Sequence, residues 1–460
     1  MYQKTRVEIT GADIFYSLII QVSVVSVINF AADEGKDGVF KVSRVILLSD
    51  INNFYAGVEC FYNREIRSLP VAVCGDIKLR HGIVLAKNPI AKCYGVKTGE
   101  TIGSAKTKCP ELVIVPPHMD LYYKFSKWVR EIYEEYADNI EEFGLDEAWL
   151  EVTNIARDEW EGRLIADEIR IKIREKLGLT CSIGVSWNKI LSKLASDLYK
   201  VDATAVITHD NYREIVWQLP TDNLLFINRK TKQALQYMGI NTIGDLANAP
   251  VELLEKIFGK VGRYLHKYAN GNDNSPVKHK DYIEPPKSIG NIETTPRDML
   301  NTDDVKRVIY MLSESVASRL RDQNYKCRTV KVYIRDFELQ SCERQGKLEQ
   351  PTYLTNIIAG KAMEVFKTRY SFIKPLRSIG VRACDLVSDD AAIQSSFFYT
   401  LEQDEKIEKI ENMIDILRAM YGYDVLQRGI VLEDKMLTYI PADYNRSNYR
   451  IDSGNIRRDY

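Results

Sequence analysis

The chain has 460 residues, 45% of them hydrophobic and 28% charged, with a formal net charge of −1. That length has room for about three or four domains of ordinary size, and the composition excludes a disordered chain. Eight scattered cysteines with no CxxC pair argue against a zinc site and a disulfide framework and suit a reducing cytoplasm. In chain order, the first feature is an apolar stretch at 13–31. It carries Gln21, Asn29 and serines at 17, 23 and 26 and barely reaches spanning length, so it reads as an extra N-terminal segment, not a membrane helix. The mixed charges before it, Lys4, Arg6 and Glu8, fit a signal peptide poorly.

Residues 44–50 read as a buried strand that ends abruptly in Asp50, and 53–62 as a helix with Phe54 and Tyr55 at its start. Short strands follow at 70–75 and 81–86, then a short helix at 89–94 stopped by Gly95. A strand at 112–115 runs into Pro116 and Pro117, a chain reversal. Helical periodicity covers 120–136. Segments 140–143 and 148–152 pair as a hairpin around Asp146 and Glu147. A helix at 160–177, a buried strand at 180–185 and a helix at 188–199 ending at Lys200 complete this part. From 211 to 276 the pattern is helical and turn-rich. In MGINTIGDLANAP (238–250), Gly239 and Gly244 frame a tight turn between apolar helices; GKVGRYLHKYANG (259–271), with Lys260 and Arg263, looks like a second such unit. Backbone N–H groups at turns of this kind hold DNA phosphates, and a plain helical connector is the bland alternative.

Pro285, Pro286 and Lys287 read as a linker. Beyond it, a strand at 287–294, a helix at 304–322, a strand at 329–337, a helix at 354–370 and a strand at 378–386 suggest a second α+β module. Residues 287–388 carry 18 Lys+Arg against 12 Asp+Glu, and 389–460 carry 9 against 14. A basic module followed by an acidic tail suits a DNA-binding chain. A charged amphipathic helix is expected at 402–421, and 441–460 is polar and rich in Asn and Arg.

The chemistry concentrates in two acidic sites. A buried strand rarely ends on a carboxylate without a reason, and Asp50 does this in VILLSDINNFYAGVE; Asp146 and Glu147 lie between apolar runs in FGLDEAWL. Taken singly, Asp50 could be a helix cap and Asp146 and Glu147 an exposed hairpin edge. Together, three carboxylates in apolar surroundings repel one another unless cations neutralise them. Oxygen-only ligands favour Mg²⁺ over zinc, and two such ions clamping one phosphate is an arrangement for phosphoryl transfer. One difficulty is geometric: adjacent strand residues point to opposite faces, so Asp146 and Glu147 converge only if the hairpin bends.

The pattern D-x-[DN]-x-F-[FY]-A-x-V-E followed by L-D-E-A-[FYW]-L resembles the Y-family translesion DNA polymerases, and Asn52 with LAKNPIAKCYGVKTGE points to their bacterial UmuC-like branch. The resemblance runs from about Arg44 to about Met436. It implies a multidomain α+β and α/β fold shaped as a right hand: palm at 44–53 and 119–206, small fingers at 54–118, a helix-hairpin-helix thumb at 207–282, a linker at 283–288 and a little-finger α+β domain at 289–388. Residues 1–43 and the acidic tail at 389–460 flank it. By the same resemblance, Asp50 and Asp146 bridge two Mg²⁺ ions, Glu147 binds the catalytic one, and Ile51 adds its backbone carbonyl. Tyr55, beside Phe54, is the steric gate that excludes a 2′-hydroxyl. Lys92 and Lys200 meet the triphosphate, with Lys87 as an alternative to Lys92; Gly239, Gly244, Lys260 and Arg263 meet DNA.

The sequence departs from the family pattern at Gly144, usually Ser, and at Pro89 and Ala86, usually Tyr and Thr. Gln394, Phe397 and Phe398 in QSSFF resemble a sliding-clamp peptide. The implied function is error-prone, template-directed synthesis on primer-template DNA with dNTPs, in the SOS response to DNA damage. The sliding clamp is an implied partner, with a UmuD-like subunit or a recombinase filament as further ones. A small fingers lobe implies low fidelity. The alternative is a catalytically silent DNA-binding accessory protein on the same fold.

Overall fold

A computed structural model describes residues 44–80, 82–370, 374–390 and 401–438. The stretch at 13–31 and the residues Gln394, Phe397 and Phe398 lie outside the described residues. Among the described residues no helix is long and apolar enough to cross a membrane.

Strand β1 (Ile46–Ile51) is buried along its whole length. Val45 and Leu47 enter one core, Ile46 and Leu48 another, as the two-residue period of a strand covered on both faces requires. Asn53, at φ 52°, turns the chain into α1 (Phe54–Tyr62); Asn is one of the few residues that accept the left-handed conformation. A small lobe follows: β2 (Val71–Cys74), β3 (Val84–Lys87), α2 (Pro89–Cys93), α3 (Ile102–Lys108) and β4 (Val113–Val115), its strands ordered β3-β2-β4. The Asn88 side chain caps α2 by accepting the Ala91 N–H, with a proline in the first turn.

The chain then returns to the first sheet through α4 (Met119–Tyr133), β5 (Ile140–Glu142), β6 (Glu147–Glu151), α5 (Glu159–Leu177), β7 (Cys181–Ser186), α6 (Lys189–Leu198) and β8 (Thr204–Val206). The order is β5-β6-β1-β7-β8, and β1 is antiparallel to both neighbours. Helices α4 and α5 cover the Leu47 face through Tyr122, Phe125, Ile169 and Ile173. Helix α6 lies on the opposite face, against β7. A Cβ on Gly184 would come within 2.0 Å of the Ser192 carbonyl oxygen, so only glycine permits this approach.

Five helices come next: α7 (Tyr212–Val216), α8 (Arg229–Tyr237), α9 (Ile243–Asn248), α10 (Val251–Phe258) and α11 (Lys260–Ala269). They share a core with α6, where Leu191 and Leu194 join Leu235, Leu246 and Leu265. Thr242 and Asp245 form a capping box at the start of α9. The chain then doubles back over the first sheet: Val277 packs with Ile46, Leu48 and Trp149, and the Lys280 N–H donates to the Asp138 carbonyl at 2.9 Å.

The last module is β9 (Ser288–Met299), α12 (Thr302–Asp322), β10 (Tyr325–Asp336), β11 (Ser341–Thr352), α13 (Thr355–Arg369) and β12 (Leu376–Ser388), an antiparallel sheet ordered β11-β10-β12-β9. Its core is built from α12, α13 and one sheet face. Strand β11 escaped the sequence reading because it is mostly polar and sits at the sheet edge, where pairing with β10 alone defines it. Helix α14 (Leu401–Tyr421) and the short α15 (Gly429–Leu432) pack onto this module, so part of the acidic tail is docked. Glu411 accepts from Arg321 at 2.6 Å and Arg428 at 2.8 Å, and Glu314 of α12 accepts from Arg418 and Arg428.

Candidate active site

Asp50 is the penultimate residue of β1, only 6% exposed, and stands opposite Glu147 in the β1–β6 ladder. Directly opposed residues of an antiparallel pair share a face, so the two carboxylates point the same way. Asp146 lies just ahead of β6, and its carbonyl accepts the Ile51 N–H at 2.9 Å. The expected bend is there. Gly144 has φ +98°, a backbone conformation that side-chain-bearing residues avoid, and the strand begins only at Glu147. Burial, then the charge of Asp50, raises the pKa of Asp146. Burial is also the leading cause that raises Glu147, against the pull of Lys193.

Two lysines answer these charges. Lys193 Nζ lies 3.2 Å from Asp50 Oδ2, 2.9 Å from Glu147 Oε2 and 3.5 Å from Asp197 Oδ2. Burial works to lower its pKa, but the three carboxylates outweigh burial and hold it above the ordinary lysine value. Lys200 Nζ lies 2.9 Å from Asp50 Oδ2 and 2.7 Å from Asp197 Oδ1, and it too is raised against the effect of burial. Lys200 was expected from the sequence; Lys193 was not. The i, i+4 spacing of Lys193 and Asp197 on α6, with Lys200 just past its end, is the signal that finds it. Asn52, in the third motif position, is tied to the start of β7: its side chain donates to Thr180 Oγ1 and accepts from Ser182 Oγ.

Among the described residues no three His, Cys, Asp or Glu side chains form a ready-made metal cage; the Lys193 ammonium stands between Asp50 and Glu147. The donors nonetheless fit a hard cation. They are all oxygen, and the buried Glu147 Oε2 is met by charge without a hydrogen bond of good geometry.

Tyr55 leaves α1 half-buried, its ring stacked on Tyr122 of α4 at 4.3 Å between centroids and 11° between planes. Phe54 is buried beside it. Burial, then the charge of Asp146, raises the Tyr55 pKa. Lys92 is exposed on α2. Lys87 Nζ donates to Thr98 Oγ1 at 3.1 Å, and its pKa is lowered first by burial and then by Lys92.

The first helical hairpin differs from expectation. The Gly239 N–H donates to the Gln236 carbonyl and the Gly244 N–H to the Trp217 carbonyl, while Asn241 and Thr242 N–H groups donate to Asp245 Oδ2. These amides are spent inside the fold. Gly244 is needed for packing instead, because a Cβ there would press on Trp217 at 3.0 Å. In the second hairpin, α11 opens on Gly259 without a side-chain cap, which leaves Lys260 and Val261 at an exposed first turn. Arg263 follows, paired with Glu255 at 2.5 Å.

Comparison with known proteins agrees with this architecture. The impB/mucB/samB family model matches residues 49–197, and the model of its C-terminal domain matches 286–397. DNA polymerase IV of Acetivibrio thermocellus is 50% identical over 399 residues, covering 87% of this chain and 100% of that protein. DNA polymerase IV of Clostridium acetobutylicum is 33% identical, covering 85% and 99%, and DNA polymerase IV 1 of Bacillus subtilis is 32% identical, covering 89% and 98%. Among solved structures, a Y-family DNA polymerase chimera of Dbh and Dpo4 superposes with a TM-score of 0.66 at 25% identity, over 75% of this chain and 99% of that one. Fold and relatives together define a DNA polymerase built of palm, fingers, thumb and little finger. The chain belongs to the Y family of translesion DNA polymerases.

Proposed function

We propose that this polymerase extends primers across damaged template positions with low fidelity, and that Asp50, Asp146 and Glu147, with the Ile51 carbonyl, hold two Mg²⁺ ions for the transfer. The observation behind the reading is the meeting of Asp50 and Glu147 on one ammonium, with Asp146 near enough for Asp50 to raise its pKa. Bound there, a pair of Mg²⁺ ions supplies a lowered pKa for the primer 3′-hydroxyl and neutralises the triphosphate. The hydroxyl gives up its proton to solvent, its oxygen bonds to the α-phosphorus of the dNTP, the bond to the bridging oxygen breaks, and pyrophosphate leaves. Lys200 and Lys92 meet the triphosphate as point charges, not as bidentate forks. Tyr55, backed by Phe54, lies beneath the sugar and leaves no room for a 2′-hydroxyl.

Three short strands and three short α-helices, with one 3-10 turn at Arg64–Ile66, make up the fingers. So small a lobe imposes little shape selection on the nascent pair. On the thumb, Lys260 and Arg263 at the start of α11 take a DNA phosphate. For Gln394, Phe397 and Phe398 the support is the QSSFF sequence alone, read as a sliding-clamp peptide. A UmuD-like subunit or recombinase filament, a place in the SOS response and a cytoplasmic location follow from the family resemblance.

Primer extension opposite an abasic site tests the reading. The wild type extends in the presence of Mg²⁺, chelation stops it, and Asp146→Asn lowers the rate by about 100-fold or more, the scale of losing one charge-stabilising group. Extension by Asp146→Asn at the wild-type rate removes the catalytic assignment. No extension by the wild type favours the silent accessory protein.

A further inference from the structure

We infer that Tyr122, Glu59 and His118 form a support that fixes the ring of Tyr55, and through it set the choice between deoxyribose and ribose without touching the nucleotide. The inference rests on Tyr55 being the sugar filter.

Two four-residue spacings face each other across the α1–α4 contact. Tyr55 and Glu59 lie one turn apart on α1; His118 and Tyr122 lie one turn apart at the start of α4. Tyr122 is fully buried and carries the Tyr55 ring in a near-parallel stack at 4.3 Å. Its hydroxyl donates to Glu59 Oε1 at 2.5 Å, and the same oxygen pairs with His118 Nδ1 at 2.9 Å. Phe54 closes the side, 5.6 Å from Tyr55 and 6.3 Å from Tyr122 between ring centroids. The set is a chain of contacts: His118 and Glu59 fix the far end of Tyr122, and Tyr122 fixes the plane of Tyr55.

Glu59 is only 5% exposed. Burying a carboxylate costs more than filling the same space with an apolar side chain. What the carboxylate adds is orientation: it holds the Tyr122 hydroxyl at one point, and the ring pivots no further. A steric filter needs that. It must reject a single extra oxygen, and a ring free to tilt loses that discrimination. An aromatic stack that fixes the ring from beneath supplies the constraint that side-chain rotamers alone lack.

The test is single-nucleotide insertion, comparing kcat/KM for a dNTP with that for the matching rNTP. Tyr55→Ala should collapse the ratio. Tyr122→Leu should lower it about tenfold, the scale of a lost aromatic stack. Tyr122→Phe and Glu59→Gln keep the ring and should lower it about threefold, the scale of a lost or weakened hydrogen bond. Adding Tyr122→Leu to Tyr55→Ala should produce no further loss, since the support then has nothing to hold. If Tyr122→Leu does not fold, the two conservative variants carry the test. A ratio unchanged in the Tyr122 and Glu59 variants while Tyr55→Ala lowers it, or a proportional fall in both efficiencies, overturns the support and leaves the filter standing. A ratio unchanged in Tyr55→Ala overturns the filter itself, and the support with it.

Discussion

Lys193 bridges Asp50 and Glu147, yet Asp146 and Glu147 remain harder to ionise than ordinary carboxyl groups. A raised native pKa means that the folded chain binds protons more tightly than the unfolded one. Each of these groups therefore takes stability away as pH rises from the ordinary carboxylate range through its raised value. The sign is opposite to that of a salt-bridged surface carboxylate. Melting temperatures followed from about pH 4 upward should show the wild type losing ground to Asp146→Asn with rising pH. Mg²⁺ should restore stability most at the upper end, where it meets the ionised form. A difference between the two proteins that is flat with pH, or that grows in favour of the wild type, contradicts the shift. At this scale the sequence was explicit about Asp50, Asp146 and Glu147, because a carboxylate at the end of an apolar run announces itself. It was silent about Lys193, whose meaning depends on which way α6 faces.

Helix α14 shows how periodicity can identify an element and miss its orientation. Ile410, Met413, Ile416 and Met420 recur at helical spacing, the usual mark of a core-facing stripe. All four are exposed, by 59–65%. The buried side is ionic: Glu411 and Arg418 face Arg321, Thr355 and Glu314, and Tyr423 adds its hydroxyl to Glu314 at 2.8 Å. Paired charges, with Ile407 against the core, hold the helix, and the Ile410, Met413, Ile416 and Met420 stripe faces out. Removing one partner strands the others, so Glu411→Ala should cost about 3 kcal/mol, read as a lowered urea midpoint of the little-finger transition. A change no larger than that of an exposed ion pair, about 0.5 kcal/mol, means that the network is not what holds α14.

Across the whole molecule the net charge of −1 conceals a divided surface. On the little-finger sheet, Lys331 stands opposite Arg382, and Arg335 lies four residues further along the same face of β10. That face is opposite to Val330, Val332 and Ile334, which enter the core with α12 and α13. A basic face on a twisted sheet suits the backbone of a duplex. Replacing Lys331, Arg335 and Arg382 with Ala should weaken DNA binding and make log K against log salt shallower by about one unit per charge removed, measured by fluorescence anisotropy. An unchanged slope places the duplex elsewhere. The fingers also reach this module: Arg80 donates to Asp298 of β9 at 2.5 Å, a partly exposed pair whose direct contribution to stability is small.

The sequence by itself singled out the carboxylates Asp50, Asp146 and Glu147 and most helices and strands, because each has a local signature: a carboxylate ending a buried run, a period of two or 3.6, a glycine or proline at a boundary. Only the tertiary structure decided what faces what. It put Lys193 between Asp50 and Glu147, engaged the Gly239 and Gly244 amides within the thumb, turned α14 ionic side inward, and stacked Tyr55 on a tyrosine held by a distant glutamate. Those outcomes depend on pairing between segments far apart in the chain, where register and burial choose the partner and local pattern carries no information about it.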